Sequence, residues 1–207
     1  MRYAKKVPEW CPDIHESLIE KGWIPLKEPK SLKEAILYSI PFMIVGGGGA
    51  VLSLSISWDV TIEQFGIDSQ TGAISFTINL LTIFGFLFML LLHELLHLIF
   101  IPRFITSTTT CIGLTFYGGF VTTEEEISKG RYILITLAPY LLLSIIGPVV
   151  LGIVGWMPAI VAGFIFLNGV ASSVDLFNFL LISTQVPNGA RLKSNGSFTY
   201  WKQKAEA

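Results

Sequence analysis

A short run of ionisable residues, His93-Glu94-Leu95-Leu96-His97, lies inside an otherwise apolar stretch of the chain. Residues four apart share one face of an α-helix, so His93 and His97 can both direct a ring nitrogen at one Zn²⁺ ion. Glu94 lies beside them, where a carboxylate can act as the base for a water molecule. The spacing therefore predicts a zinc site with the chemistry of a hydrolase.

The composition of the chain makes a chance origin of this run improbable. Three His and eleven Glu in 207 residues would produce it with an expectation of roughly 0.2 %. Ionisable groups inside hydrocarbon are costly and usually mark functional sites. The alternative interpretation is a histidine pair that only makes polar contacts between helices.

The elements that position these residues are predicted to cross a membrane. Hydrophobic residues make up 52 % of the chain and charged residues only 14 %, which is typical of integral membrane proteins. Four stretches reach the roughly 20 apolar residues that a spanning helix needs. They run from about Glu34 to Trp58, Phe76 to Ile101, Tyr132 to Gly155 and Met157 to Ile182. The predicted fold is all-α, with a membrane domain at 35–185 between an amino-terminal segment at 1–34 and a tail at 186–207.

The distribution of Lys and Arg predicts the orientation. All fourteen lie in the amino-terminal segment, between the second and third spans, or in the tail. The positive-inside rule then places both termini in the cytosol. The first 34 residues lack the apolar core of a signal peptide, so the first span is expected to direct insertion into the lipid bilayer. No feature indicates nucleic-acid binding.

Several segments carry further expectations. The cytosolic loop at 102–130 contains a stretch from Thr106 to Val121, rich in Thr and aromatic residues, which predicts a small β-hairpin. The hairpin could add an extended peptide as a strand, or it could simply cover the site. The glycines at 46–49 favour a kink or close helix packing. A short amphipathic helix is predicted from Pro12 to Lys21, and the tail after Gln185 is expected to be loosely packed.

A third metal ligand follows by elimination. Catalytic zinc sites commonly use three protein ligands, and the remaining histidine, His15, lies in the amino-terminal segment. Apart from Glu34, at the very start of the first span, the only acids in the four spans are Glu94 and Asp175. At 1.5 Å per residue, His93 lies about 25 Å and Asp175 about 24 Å from the outer ends of their helices. The two groups are thus expected at one depth, near the cytosolic edge of the hydrocarbon.

Polar residues at helical spacing complete the candidate site. Asn168 and Ser172 fall near the face of Asp175 and are candidates for ligand orientation or oxyanion stabilisation. Asn79 and Thr82 fall on the face of His93, where interhelical hydrogen bonding is the simpler interpretation.

These residues predict a metalloendopeptidase that cleaves membrane proteins or peptides near the cytosolic face. Zn²⁺ would polarise the peptide carbonyl and Glu94 would transfer the proton. Two alternatives remain open: a non-catalytic zinc-binding scaffold, and a proton or metal transporter that uses the same buried groups. The sequence does not predict the oligomeric state.

The chain resembles a bacterial family of membrane proteins of unknown function described as putative zincin peptidases. The resemblance rests on His93 to His97, the Thr-rich loop, Leu137-Ala138-Pro139-Tyr140, and Asn168 through Asp175, and it covers roughly residues 20 to 185. It implies a zinc peptidase at the cell membrane. More distantly the chain is similar to the site-2 proteases, although the Pro and Gly that flank their aspartate are absent around Asp175.

Overall fold

The computed structural model describes residues 1–59, 61–75, 79–115 and 118–203. About 56 % of the chain is helical. The α-helices are α1 (Pro12–Glu20), α2 (Leu32–Ser57), α3 (Leu80–Phe100), α4 (Lys129–Pro139), α5 (Gly147–Val154), α6 (Ala159–Ala171) and α7 (Ser173–Gln185). The strands are β1 (Arg2–Tyr3), β2 (Ile24–Pro25), β3 (Cys111–Thr115), β4 (Gly118–Thr122), β5 (Ile127–Ser128), β6 (Arg191–Asn195) and β7 (Phe198–Lys202).

Four helical segments in the described ranges are long and apolar enough to cross a membrane, as the sequence predicts. They are Lys33–Ser57, Leu80–Phe100, Lys129–Val154 and Ala159–Gln185. Many of their large apolar side chains face outward, including those of Ile44, Leu52, Leu81, Phe88 and Ile153. This pattern is consistent with a multi-pass membrane protein, in which lipid surrounds such side chains. The predicted start of the second span at Phe76 lies outside the described residues.

The third and fourth segments depart from regular α-helix. In the third, Tyr140–Ile146 forms a π-helical turn between α4 and α5, directly before Gly147 and Pro148. In the fourth, α6 ends at Ala171, Ser172 is its C-cap, and α7 begins at Ser173. Asp175 therefore lies in the first turn of a new helix.

The predicted hairpin is present, but the structure contains more β-sheet than the sequence predicts. Strands β3 and β4 pair antiparallel, and β1 joins β3 in parallel, which gives a three-stranded sheet. A second, four-stranded sheet has the order β2-β7-β6-β5. The middle of the predicted hairpin, Phe116 and Tyr117, lies outside the described residues.

The prediction of a loosely packed tail is wrong for the described residues after Gln185. They form β6 and β7, and Ala190, Leu192 and Tyr200 are buried. Pairing of β2 with β7 joins Ile24 to Trp201. Apolar side chains that are too dispersed to predict a strand become buried once a distant segment supplies the partner. The predicted helix near Pro12 is confirmed as α1.

The chain divides into two compact units. The first comprises Met1–Tyr38, Glu94–Ala138 and Asp175–Ala207. It contains both sheets and a core in which Leu26, Ile182, Val186, Ala190 and Leu192 are buried together.

The second unit comprises Ser39–His93 and Pro139–Val174. Its core includes Ala50, Leu54 and Ile165. The glycine run of α2 packs closely here, because a Cβ on Gly49 would lie 2.0 Å from the Tyr140 hydroxyl. The close packing predicted from these glycines is thus observed.

Candidate metal centre

The motif residues lie within α3, so helical periodicity alone brings His93 and His97 to one face, one turn apart. Apolar residues surround them in sequence, and His93 is buried with 8 % of its surface exposed. Asn79 and Thr82, expected on the same face, lie at the start of the helix. The Thr82 amide donates to Asn79 Oδ1 over 2.9 Å, as at a helix N-cap.

Asp175 joins the two histidines. One ligand atom each from His93, His97 and Asp175 lie within 4.8 Å of one another. His97 Nε2 is 3.5 Å from Asp175 Oδ1, which matches the separation of about 3.3–3.6 Å between ligands of a tetrahedral zinc ion. Two imidazoles and a carboxylate are a donor set that zinc accepts, so the group could bind a metal.

His97 is oriented by the backbone of α4. Its Nδ1 lies 2.8 Å from the carbonyl oxygen of Ile135. A carbonyl oxygen can only accept, so Nδ1 carries a proton and donates. The opposite nitrogen, Nε2, faces Asp175 and is the atom that this histidine offers to a metal.

His93 is oriented by a side chain instead. Its Nδ1 lies 2.9 Å from Oδ1 of Asn168, which is fully buried in α6. Ser172, the other polar residue predicted here, donates its hydroxyl to the Asn168 backbone carbonyl over 2.8 Å. The structure thus places the Asn168 side chain against a predicted ligand, whereas the Ser172 hydroxyl donates to a backbone carbonyl at the carboxyl end of α6.

Glu94 is half-buried and lies against β4. A Cβ added to Gly119 would be 2.4 Å from Glu94 Cγ and 2.9 Å from Oε1. Only the absence of a side chain at Gly119 therefore allows this approach. In the described part of its sheet β4 pairs with β3 alone, so it is an edge strand beside the predicted catalytic base.

Sequence reasoning missed the groups that hold the histidines in place. Ser144 is fully buried and accepts a hydrogen bond from Asn168 Nδ2 over 2.9 Å. In the sequence, a single serine in an apolar span is only a weak indication of a functional site. The contact with Asn168 shows what this serine does. Asn168 Nδ2 also donates to the Pro139 carbonyl oxygen over 3.3 Å. This carbonyl and that of Ile135 carry no signal in the sequence, because every residue has such a group.

The fold and the site define a class of protein: a helical chain suited to a membrane, with a His-His-Asp group that could bind a metal. The model of a family described as "Putative zincin peptidase" matches residues 86–191, just over half of the chain. The chain belongs to this family, as its motifs indicate. Neither the curated proteins nor the solved structures gave a match. The family description suggests a peptidase, and a zincin implies zinc.

Proposed function

We propose that the protein is a zinc metalloendopeptidase embedded in the cell membrane, with Glu94 as its catalytic base. One observation carries the proposal: the ligand atoms of His93, His97 and Asp175 converge within 4.8 Å, and Glu94 directly follows one of them on the same helix. Membership of the zincin peptidase family supports the same chemistry.

The number of ligands favours catalysis over a scaffold. Structural zinc sites are closed by four protein ligands, whereas catalytic sites use three and keep one position for water or substrate. Within the described ranges, three side chains form the group. This count is the one expected of an enzyme.

The residues then divide the work of peptide hydrolysis. Zinc, when bound, supplies Lewis acidity that lowers the pKa of water toward 7 and polarises a peptide carbonyl. Glu94 accepts a proton from the attacking water while the oxygen of that water bonds to the carbonyl carbon. When the carbon–nitrogen bond breaks, Glu94 delivers that proton to the leaving amine. His93, His97 and Asp175 hold the ion.

The substrate is proposed to be a membrane-protein segment or a peptide in extended form. Gly119 brings the edge strand β4 against the Glu94 carboxylate. An edge strand presents backbone groups that can pair with another chain. This arrangement supports the interpretation of the hairpin as a substrate platform rather than only a cover.

The proposed orientation has both termini in the cytosol and the reaction near the cytosolic face. Its support is the confinement of all fourteen Lys and Arg to three alternating segments. Tags at either end should be accessible to protease in inside-out vesicles and protected in right-side-out vesicles. Accessibility of either tag in right-side-out vesicles would contradict the orientation.

The catalytic proposal is tested with the purified full chain in detergent. Membrane-proteome peptides are incubated with the zinc-loaded protein in H₂¹⁸O, and new carboxyl termini are identified by mass spectrometry. Wild type should add one ¹⁸O per cleavage. Glu94→Gln should keep zinc and produce no new termini, whereas the control Glu126→Gln, at an exposed acid, should behave as wild type. Equal cleavage by Glu94→Gln and wild type would overturn the role of Glu94.

A further inference from the structure

We propose that Asn168 and Ser144 form a directed hydrogen-bond chain that holds His93 with its proton on Nδ1, so that Nε2 is the atom offered to the metal. The inference rests on the proposed zinc site and assigns Asn168 as a positioning residue, not an oxyanion donor. This hydrogen-bond chain begins at a backbone carbonyl and ends at the His93 ring. Its two side chains, Ser144 and Asn168, are fully buried.

The direction of the chain is set by atoms that can only accept. Ser144 Oγ lies 3.0 Å from the Ile165 carbonyl oxygen, so the single hydroxyl proton points there. Ser144 Oγ must therefore accept from its other neighbour, Asn168, at 2.9 Å. That neighbouring atom has to be the amide nitrogen.

A second carbonyl fixes the amide of Asn168 in the same orientation. Asn168 Nδ2 lies 3.3 Å from the Pro139 carbonyl oxygen. If the amide were turned over, Oδ1 would face this carbonyl and the lone pair of Ser144, which is repulsive at both contacts. Oδ1 therefore faces His93, and at 2.9 Å it requires a proton on Nδ1.

The number of amide protons on Asn168 also excludes a role as an oxyanion donor. An asparagine amide has two donor protons, and those of Asn168 are directed at Ser144 and Pro139. It retains no donor for a substrate oxyanion. Of the two functions that its position suggests, orientation of a ligand is the one its contacts permit.

A π-helical turn carries Ser144. It spans Tyr140–Ile146 and begins directly after Pro139, the residue whose carbonyl accepts from Asn168. The Ser53 hydroxyl of α2 donates to the Ile145 carbonyl oxygen over 2.5 Å, and this hydrogen bond links the turn to α2. Such turns are rare and frequently occur at functional sites. Here the irregular turn serves to present Ser144 to Asn168.

The test measures zinc affinity by competition with a chromophoric chelator on the full chain in detergent. Asn168→Leu should weaken binding roughly 10–100-fold, the usual effect of removing a group that orients a ligand. Ser144→Ala deletes one atom and should weaken binding about fivefold. The matched controls Asn188→Leu and Ser55→Ala, both at exposed residues, should bind zinc as wild type does.

A second measurement reads the tautomer directly. The chain has only three histidines, so ¹⁵N-histidine labelling resolves each ring, with His93→Gln used for assignment. In metal-free wild type His93 should be protonated at Nδ1. In Asn168→Leu the ring should populate both tautomers. Circular dichroism of each variant establishes that the helices remain formed.

The outcomes separate this inference from the proposed function. Zinc bound at wild-type affinity after His93→Ala would overturn the metal site itself. If His93→Ala loses zinc while folded Asn168→Leu and Ser144→Ala keep wild-type affinity and tautomer, only the directed chain is wrong. Loss of cleavage by Asn168→Leu at unchanged zinc affinity would also overturn it, because that pattern defines an oxyanion donor.

Discussion

The two histidines of one motif are held in different ways. His97 donates to a backbone carbonyl, that of Ile135, and its other nitrogen faces Asp175. His93 bonds to a side chain, Asn168, which in turn bonds Ser144. A backbone carbonyl remains after any substitution that preserves the helix, whereas a side-chain partner is lost when that one residue is substituted. Substitutions around His97 should therefore change its orientation less than substitutions around His93 do. Asp175, the carboxylate beside His97, is the exception, because its side chain is itself a predicted ligand.

The largest effect is expected at that carboxylate. Asp175→Ala removes a predicted ligand and should weaken zinc binding by more than about 100-fold, beyond the range for groups that only orient a ligand. Competition with a chromophoric chelator, beside the control Asp13→Ala at an exposed acid of α1, measures this. Wild-type zinc affinity in Asp175→Ala would show that Asp175 is not a ligand.

The next effect separates catalysis from metal binding. Gly119→Ala places a methyl group within 3 Å of three Glu94 atoms, so the carboxylate or β4 must move. Displacing a catalytic group by about 1 Å can cost about 100-fold in rate. Cleavage should fall by about 10–100-fold at unchanged zinc affinity. Gly130→Ala is the control because its Cβ would meet no atom within 4 Å; equal rates in all three proteins would show that the contact is unimportant.

A smaller effect is expected on the pH dependence of stability. It arises from Glu28, which lies in the same compact unit as His97. Burial raises the pKa of Glu28 to about 7 despite hydrogen bonding from Thr199. Its folded-state pKa thus exceeds the unfolded value near 4.5, so its contribution to stability is full below about pH 4.5 and is lost as the pH rises through 7.

Glu28→Gln should therefore raise the free energy of unfolding at pH 8 by about 3 kcal/mol and change it little at pH 4.5. Chemical denaturation in detergent at both pH values measures this, with Glu20→Gln, at an exposed acid, as control. An equal shift at both pH values would contradict titration of Glu28 as its cause.

The smallest effect is expected at the carboxyl end of α7, the helix whose first turn contains Asp175. Lys129 Nζ donates to the carbonyl oxygens of Val186, at 2.6 Å, and Ser183, at 3.4 Å. A cation at a helix carboxyl end stabilises it by about 1 kcal/mol. Lys129→Met should lower the free energy of unfolding by that amount and leave zinc affinity unchanged. A change in zinc affinity, absent from the control Lys33→Met, would show that this end of α7 also positions Asp175.

Much of the site could be predicted because it depends on local or compositional rules. Helical periodicity brings His93 and His97 to one face whatever the rest of the chain does. Asp175 followed from the scarcity of acids inside apolar spans, and the structure places it beside the histidines. The roles of these residues in binding zinc and in catalysis stay predictions.

The sheets could not be predicted in the same way. Strand β2 has two residues and pairs with β7, more than 170 positions away. A strand this short has no periodicity of its own and is stable only when its partner is already close. The expectation of a loose tail failed for that reason.

By itself the sequence determined the four apolar segments, the HELLH face of α3 and the choice of Asp175, since length, periodicity and composition act within one segment. Tertiary structure decided how the two rings are held: Ile135 supplies a carbonyl to His97, and Asn168 and Ser144 form the chain to His93. Hydrogen bonds require atoms within about 3 Å, and only the packed fold brings residues 38 and 75 positions apart to that distance.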